Sequence, residues 1–466
     1  MLINDMLINR NFRLLWAGQA LSLVGDYAFD TALLLWVSTE LLHGEAYAPT
    51  VTAGLLMTMY IAGIVVAPLA GTLVDRWHKQ RTMLRSELFR AAVITGVALL
   101  TFSPTGSLPP LVLPLCLGGA LALTAAAAQL FRASRFVMIS DVVPAEQHGQ
   151  AFSYTQTASA LAGMAGPAAA APLVMTFGVR WVLVFDALTY LVSYGAIRAV
   201  HYDEPERVAH SQAPDGHAPT ERPRVRRELL SAARLLFGNR TLRTILTAAV
   251  LMTAGTGALN TLEVYFVPEN LHASPSWFGT LEALFGAGTA VGALLGGRLG
   301  DRAGHTRVFQ GSVLLFGLLL VAYSRATGIL TAATVSLLFG LALGALNAVS
   351  SPLIIQQSPR DHLGRIMSVF DPIAQLASLA SVALSGVLAG TVLDGFHGHW
   401  AGVDFGRIDV IFLAGGVCTV ATGVYTLFAL RPAVAPTTPP PLIPSGSPPG
   451  VRDESFPAHR SGDQAG

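Results

Sequence analysis

Carboxylates set inside apolar runs carry the most chemistry in this sequence. Asp26 and Asp30 stand one helical turn apart in the first run, Asp186 lies in a later one, and Asn260, Glu263 and Glu282 follow in the second half. A charge in hydrocarbon costs at least about 2.5–3.5 kcal/mol, so such groups line a cavity or find a partner. Carboxylates four residues apart share a helix face. In low dielectric they repel, so one of the two is expected to hold a proton near neutrality. A proton-coupling site needs that property. Asp26, about 20 Å into its span at 1.5 Å per residue, is the first choice for it. Asp30 lies closer to the outer surface, where simple hydration competes. Asp186 suits helix packing as well as transport chemistry. Glu263 with Asn260, and Glu282, fall in the outer third of their spans, where they suit a vestibule for a cation or an outer gate.

The elements that must position these groups are membrane helices. Of 466 residues, 52% are hydrophobic and 12% charged, half the charge of an ordinary soluble domain. Mean hydropathy is +0.54. That excludes a soluble enzyme, a nucleic-acid binder and a disordered chain. A spanning helix needs about 20 apolar residues. Twelve such runs are expected at 13–37, 50–73, 84–103, 109–131, 154–177, 180–200, 243–267, 277–299, 307–324, 328–350, 365–391 and 407–430. The net charge of +1 says nothing about partners, but its distribution does. With the N-terminus inside, 26 of the 29 Lys and Arg residues fall on inner segments, and Arg180, Arg325 and Arg407 remain outside. That asymmetry predicts a multi-pass protein with both termini in the cytoplasm. Cys116 and Cys418 read as small buried hydrophobes.

The runs divide six and six. Residues 1–200 are expected to form one six-helix bundle and 241–431 a second. A linker at 201–240, amphipathic around Leu229–Phe237, joins them, and a disordered Pro-rich cytoplasmic tail follows at 432–466. The halves repeat in order. Asn9–Arg13 (NRNFR) matches Asn239–Arg243 (NRTLR), Gly71–Arg76 (GTLVDR) matches Gly297–Arg302 (GRLGDR), and Pro144–Ser153 matches Pro359–Ser368. Constant order at nearly constant offset means a parallel repeat about an axis along the membrane normal.

The loop after span 2 is the strongest local motif: Gly71, Asp75, Arg76, then Lys79 and Arg81, with a copy at Gly297, Asp301 and Arg302. Here the sequence resembles the major facilitator superfamily. Within it, NRNFRLLWAGQALSLVGDYAF and VVPAEQHGQAFS look like the bacterial branch of macrolide-efflux proteins and siderophore exporters. The resemblance implies an all-α fold of twelve transmembrane helices in two parallel-repeat bundles. It further implies proton-driven export by alternating access. In such a protein the glycines of the loop allow close packing, and its aspartates and arginines hold an inner gate, which Asp371 joins by pairing with an arginine. His78 replaces the usual glycine of the first copy, so its turn must differ. Gly163, Gly166 and Pro167 are similar to the antiporter motif of exporters, although Ala162, Ala169 and Ala170 depart from it. The arginine that such exporters carry in span 4 is absent. Gly288, Gly292, Gly296 and Gly300 form a row for close helix contact.

No phosphate-binding loop, zinc spacing or serine elbow occurs, so no enzyme is expected. The expected partners are a hydrophobic or amphiphilic solute, protons and the bilayer of a bacterial inner membrane. No cofactor or nucleic acid is expected, and the resemblance implies a monomer. An importer or uniporter, or a lipid-handling protein, on the same fold is the alternative.

Overall fold

The computed structural model describes residues 8–74, 77–102, 112–202, 234–357, 363–400 and 403–430. Twelve long helices run through them: α1 Arg10–Trp36, α2 Ala48–Val74, α3 Lys79–Thr101, α4 Val112–Val142, α5 His148–Phe177, α6 Val179–Arg198, α7 Arg240–Glu269, α8 Trp277–Ala303, α9 His305–Tyr323, α10 Ile329–Gln357, α11 Leu363–Val387 and α12 Arg407–Ala429. A two-stranded antiparallel hairpin, β1 His397–Trp400 and β2 Val403–Gly406, joins the last two. Asp75, Arg76, most of the linker and the expected tail lie outside the described residues.

Ten of the helices are long and apolar enough to span a bilayer; α3 and α6 are not among them. Buried polar residues explain the shortfall, because α3 carries Glu87 and Arg90 and α6 carries Asp186, Thr189 and Ser193. The outer surface is apolar: Leu115, Leu294, Leu330 and Phe428 are each 67% or more exposed. Such a surface belongs in lipid, not water. Cys116 and Cys418 are exposed rather than buried.

The repeat read from sequence is the repeat of packing. In the first bundle α1 packs on α5 and α6, α3 on α4 and α6, and α2 on α4. In the second, α7 packs on α11 and α12, α9 on α10 and α12, and α8 on α10. Each pair has its counterpart six helices on. The motif at 9 and 239 is an N-cap. Asn9 Oδ1 accepts from the Phe12 amide at 2.7 Å, and Asn239 Oδ1 accepts from the Thr241 amide at 2.9 Å, covering donors a helix start leaves bare. A second repeated device is a glutamine strut. Gln80 Nε2 donates to the carbonyls of Ile197 and Val200, and Gln310 Nε2 to those of Thr426 and Leu430. Each closes the last turn of its bundle's sixth helix. The turn before α3 does differ from its copy: His78 is extended at φ −70°, while Gly304 sits at φ +93°, which favours glycine.

The bundles meet along α2 against α11 and α5 against α8. Thr50 Oγ1 donates to the Gly386 carbonyl at 2.9 Å, and the hydroxyls of Thr52 and Tyr265 share a 2.6 Å bond. Gly279 packs against the Pro167 carbonyl and Ala171, and Gly286 against Gly163 and Met164. All of these contacts lie in the halves of the helices nearer the hairpin.

Candidate functional site

Three helices of the first bundle converge on one guanidinium. Helix α3 supplies Glu87 and Arg90, one turn apart. Helix α6 supplies Asp186, Tyr190 and Ser193, a spacing that holds them on one face. Helix α1 supplies Asp26. Arg90 Nη2 lies 2.5 Å from Asp26 Oδ1, and the Tyr190 hydroxyl donates to that same oxygen at 2.5 Å. The Arg90 guanidinium also stacks 4.2 Å from the centre of the Tyr190 ring, a favourable cation–π contact when desolvated. On its other side Glu87 Oε2 stands 3.9 Å from Nη1, while Ser193 Oγ donates to Glu87 Oε1 at 2.6 Å. The side chain of Asp26 is 28% exposed, that of Arg90 8% and that of Glu87 0%. Asp26 is therefore the member open to its surroundings, and Glu87 lies behind the arginine.

The expected meeting of Asp26 with Asp30 is only part of this arrangement. Asp30 is near enough to feel the charges of Asp26 and Arg90, but the direct partner of Asp26 is a cation. Arg90 stands eleven residues into α3, where the helix has entered the bundle; the positional count had left it on an inner segment. Asp186 is fully buried. Its neighbours are Gly25 of α1 and Thr189, whose hydroxyl donates to the Asp186 carbonyl at 2.7 Å. The expectation of a span 4 without arginine fails for a similar reason. Helix α4 continues past its apolar run to Val142, and Arg132 lies near enough to Arg90, Asp26 and Tyr27 for their charges to act on it.

The glycines of the antiporter-like motif seat the residue next to Asp26. The Tyr27 ring lies 3.6 Å from where a Cβ on Gly163 would be, and a Cβ on Gly166 would strike Tyr27 Cβ and the Ala28 amide. Pro167 follows on the same helix and gives its carbonyl to the contact with Gly279. Helix α5 thus touches α1 beside the charged cluster and α8 across the bundle boundary.

In the second bundle Glu263 turns into the core. The Tyr323 hydroxyl donates to its Oε1 at 2.6 Å, and Glu282 of α8 is close enough to interact with it. Asn260, expected beside Glu263, is exposed while Glu263 is buried. Unlike the first cluster, this one has no ion pair to Lys or Arg among the described residues. At the hairpin end a cavity of about 1120 Å³ is lined from both bundles, His43 and Glu45 on one side and Glu269, Arg325 and Arg407 on the other. Arg407 grips Glu269 at 2.7 Å, Arg325 lies over the Phe405 ring at 4.6 Å and Arg180 over Phe102 at 5.3 Å. The three arginines expected outside are thus each held by a partner.

The expected inner gate is only partly assembled. Gly71 lies in α2 and Asp371 in α11, and their side-chain surroundings, like Asp75 and Arg76, fall outside the described part of the chain. Arg81 is exposed. Asp301 is 80% exposed and meets His305 at 3.9 Å; Arg302 is exposed too, and among the described residues neither forms an arginine–carboxylate pair. Both lie at the end of α8 remote from the hairpin, whereas the cross-bundle contacts above lie at the other. Gly297 was expected to pack closely, yet a Cβ there would meet nothing within 4 Å. The close-packed row is one residue away. Cβ atoms on Gly288, Gly292 or Gly296 would fall on Leu337, Leu341 and Ala345 of α10, and those on Gly340 and Gly344 would fall on α8.

Sequence reasoning missed Glu87, Arg90, Tyr190 and Ser193 as a group. The available signal was the i,i+3 pair Glu87–Arg90 inside a run that turns apolar immediately afterwards. Among the described residues no group of His, Cys, Asp and Glu is placed to hold a metal.

The Major Facilitator Superfamily profile matches residues 15–265 and 245–451. Macrolide efflux protein A of Streptococcus pyogenes is 22% identical over 392 residues, covering 84% of this chain and 91% of that one. A chloramphenicol resistance protein of Streptomyces lividans is 28% identical over 305 residues, covering 63% and 70%. Among solved structures, the nucleoside transporter NupG superposes with a TM-score of 0.64 at 12% identity, covering 90% of this chain and 98% of that one; this likeness shows the fold alone.

Proposed function

Because this chain belongs to the Major Facilitator Superfamily, we propose that it exports hydrophobic or amphiphilic small molecules from the bacterial cytoplasm in exchange for protons. The observation that carries the proton reading is the Asp26–Arg90 pair. One guanidinium faces Asp26, Asp30, Glu87 and Asp186 in a low-dielectric interior. Even with Arg132 of α4 near enough to interact, two positive charges cannot offset four carboxylates there, and bound protons supply the balance. Asp26, the most exposed member of the pair, exchanges its proton with the cavity, while Arg90 and Tyr190 hold it in place. The named activities of the macrolide-efflux and chloramphenicol-resistance relatives support export and an amphiphilic substrate.

Direction in the membrane follows from the arginines. Their bias supports cytoplasmic termini and a hairpin end on the outside. The contacts of α2 with α11 and of α5 with α8 then close the outer side, and the described conformation is the one loaded from within. Asp301 and Arg302, with Asp75 and Arg76, are the groups that pair when the inner side closes in turn. Glu263, Glu282 and Asn260 serve the outward half of the path. The energy source is the proton gradient, with no cofactor, and the working unit is a monomer.

The test is accumulation of a panel of macrolides, lipophilic drugs and siderophores in an efflux-deficient bacterium expressing this chain, with and without a protonophore. Lower accumulation that the protonophore reverses, and that Asp26→Asn abolishes, is the expected outcome. Uptake raised by expression, or export indifferent to the protonophore, refutes the proposal.

A further inference from the structure

Arg90 stands between two acids that are placed differently. Asp26 on α1 has the guanidinium at 2.5 Å and keeps 28% of its side chain exposed. Glu87 on α3 is sealed from solvent, and one of its oxygens is bound by Ser193. Its other oxygen, Oε2, has no hydrogen-bond partner, and neither does Arg90 Nε. Fully buried polar atoms are seldom left bare. Oε2 is aimed at Nη1 across 3.9 Å, about 1 Å more than a charge-assisted bond requires.

We propose that Glu87 is the second seat of the Arg90 guanidinium: when Asp26 takes up a proton, Arg90 leaves it and pairs with Glu87 Oε2. This rests on the reading that Asp26 carries the exchanged proton. A proton passes from hydronium to the Asp26 carboxylate, so one O–H bond breaks in the donor as one forms on Asp26, and no other covalent bond changes. Arginine cannot answer by losing its own proton. A buried guanidinium without an acid is strongly unfavourable, so it moves to the nearest one. The Tyr190 ring lies under the cation at 4.2 Å and supports it during the move.

The other charged groups around it do not offer that seat. Arg132 on α4 repels the cation, and although Asp186 Oδ2 is also without a hydrogen-bond partner, neither Asp186 nor Asp30 comes within 4.0 Å of the guanidinium. Among the described residues, Glu87 is the one acid besides Asp26 within 4.0 Å of Arg90.

The exchange has a mechanical result. With Arg90 on Asp26, the guanidinium ties α3 to α1. With Arg90 on Glu87, both partners belong to α3 and α1 is released. Helix α1 is seated on α5 through Tyr27 and the glycines at 163 and 166, and α5 bears on α8 in the other bundle. Glu87 is thus a positioning residue, acting through Arg90 without contact with the solute.

The decisive experiment is the structure of the purified full chain carrying Asp26→Asn, which keeps the shape of a protonated aspartate. Arg90 Nη1 is expected within about 3 Å of Glu87 Oε2. A guanidinium still on residue 26, with Glu87 as far away as before, overturns the proposal. Thermal unfolding gives a second measurement. Glu87→Gln should lower the midpoint more in the Asp26→Asn background than in the wild type, because there the guanidinium has neither seat. Equal losses in the two backgrounds overturn it as well. Neither measurement needs a solute, so the two readings fail separately. Partner exchange in a chain without proton-coupled export refutes the functional reading alone, and proton-coupled export with a static Arg90 refutes this one alone.

Discussion

Gly279 offers the most direct handle on the closed end. A Cβ at this position would overlap the Pro167 carbonyl and Ala171 Cβ across the bundle boundary. The backbone carbonyl cannot yield by rotating a side chain, so Gly279→Ala is relieved only by parting α5 from α8. Overpacking of this kind typically costs about 1–3 kcal/mol. The strain exists in the closed arrangement and vanishes in the open one, so it shifts the equilibrium between them. At about 1.4 kcal/mol per decade the open population rises about 5- to 140-fold. Two other glycines calibrate the argument. At Gly286 the nearest atoms are Met164 Cγ at 3.1 Å and the Gly163 carbonyl oxygen at 3.2 Å; the thioether bends away readily, and the alanine effect should be smaller. At Gly297 nothing lies within 4 Å, and alanine should change nothing. The assay is labelling of Thr52→Cys by a water-soluble maleimide on purified protein, with the exposed Cys116 and Cys418 replaced by serine. Thr52 is fully buried at the boundary between the bundles, so its labelling rate reports opening. Equal rates in the Gly279→Ala and Gly297→Ala proteins would refute the reasoning.

Three further outcomes follow from the buried polar contacts. Arg90→Leu leaves Asp26 without its cation, and breaking a buried pair in this way costs about 3–5 kcal/mol; the unfolding midpoint should fall clearly, and Asp26→Leu added to it should restore part of the loss. Tyr323→Phe removes the donor to Glu263 Oε1 and should cost about 1–3 kcal/mol, read as a lower midpoint in the same assay. Gln80→Leu and Gln310→Leu each remove two hydrogen bonds from the end of a sixth helix; amide exchange should speed up at the last turn of α6 in the first variant and of α12 in the second, and no change in either would sink the strut reading.

Much of the architecture was legible because the bilayer imposes a length on each helix and the repeat imposes an order. The NR motif and the glycine row could be read for the same reason, since capping and close packing act within a few residues. The site was legible only where a charge stood alone in an apolar run. Asp26, Asp186 and Glu263 announced themselves in this way. Arg90 did not, because it belongs to a helix whose first turns are basic, and its burial depends on how deeply α3 enters the bundle. Its pairing with Asp26 joins residues 64 positions apart, which no local spacing reveals. Asn260 and Gly297 show the opposite failure: Asn260 is exposed at the edge of the face that Glu263 buries, and Gly297 is one residue out of phase with Gly296, which packs.

The glutamine struts have a consequence for how such a chain diverges. Gln80 and Gln310 occupy equivalent places and make equivalent bonds, as do Asn9 and Asn239. The acid clusters share no such equivalence: the first half has Asp26, Glu87 and a guanidinium, and the second has Glu263, Glu282 and a phenol. The ends of the helices are therefore held to a common pattern in the two halves, while their middles differ. One half holds a cation paired with an acid and the other an acid held by a phenol, on the same frame. A symmetric skeleton thus does not oblige its two halves to work symmetrically.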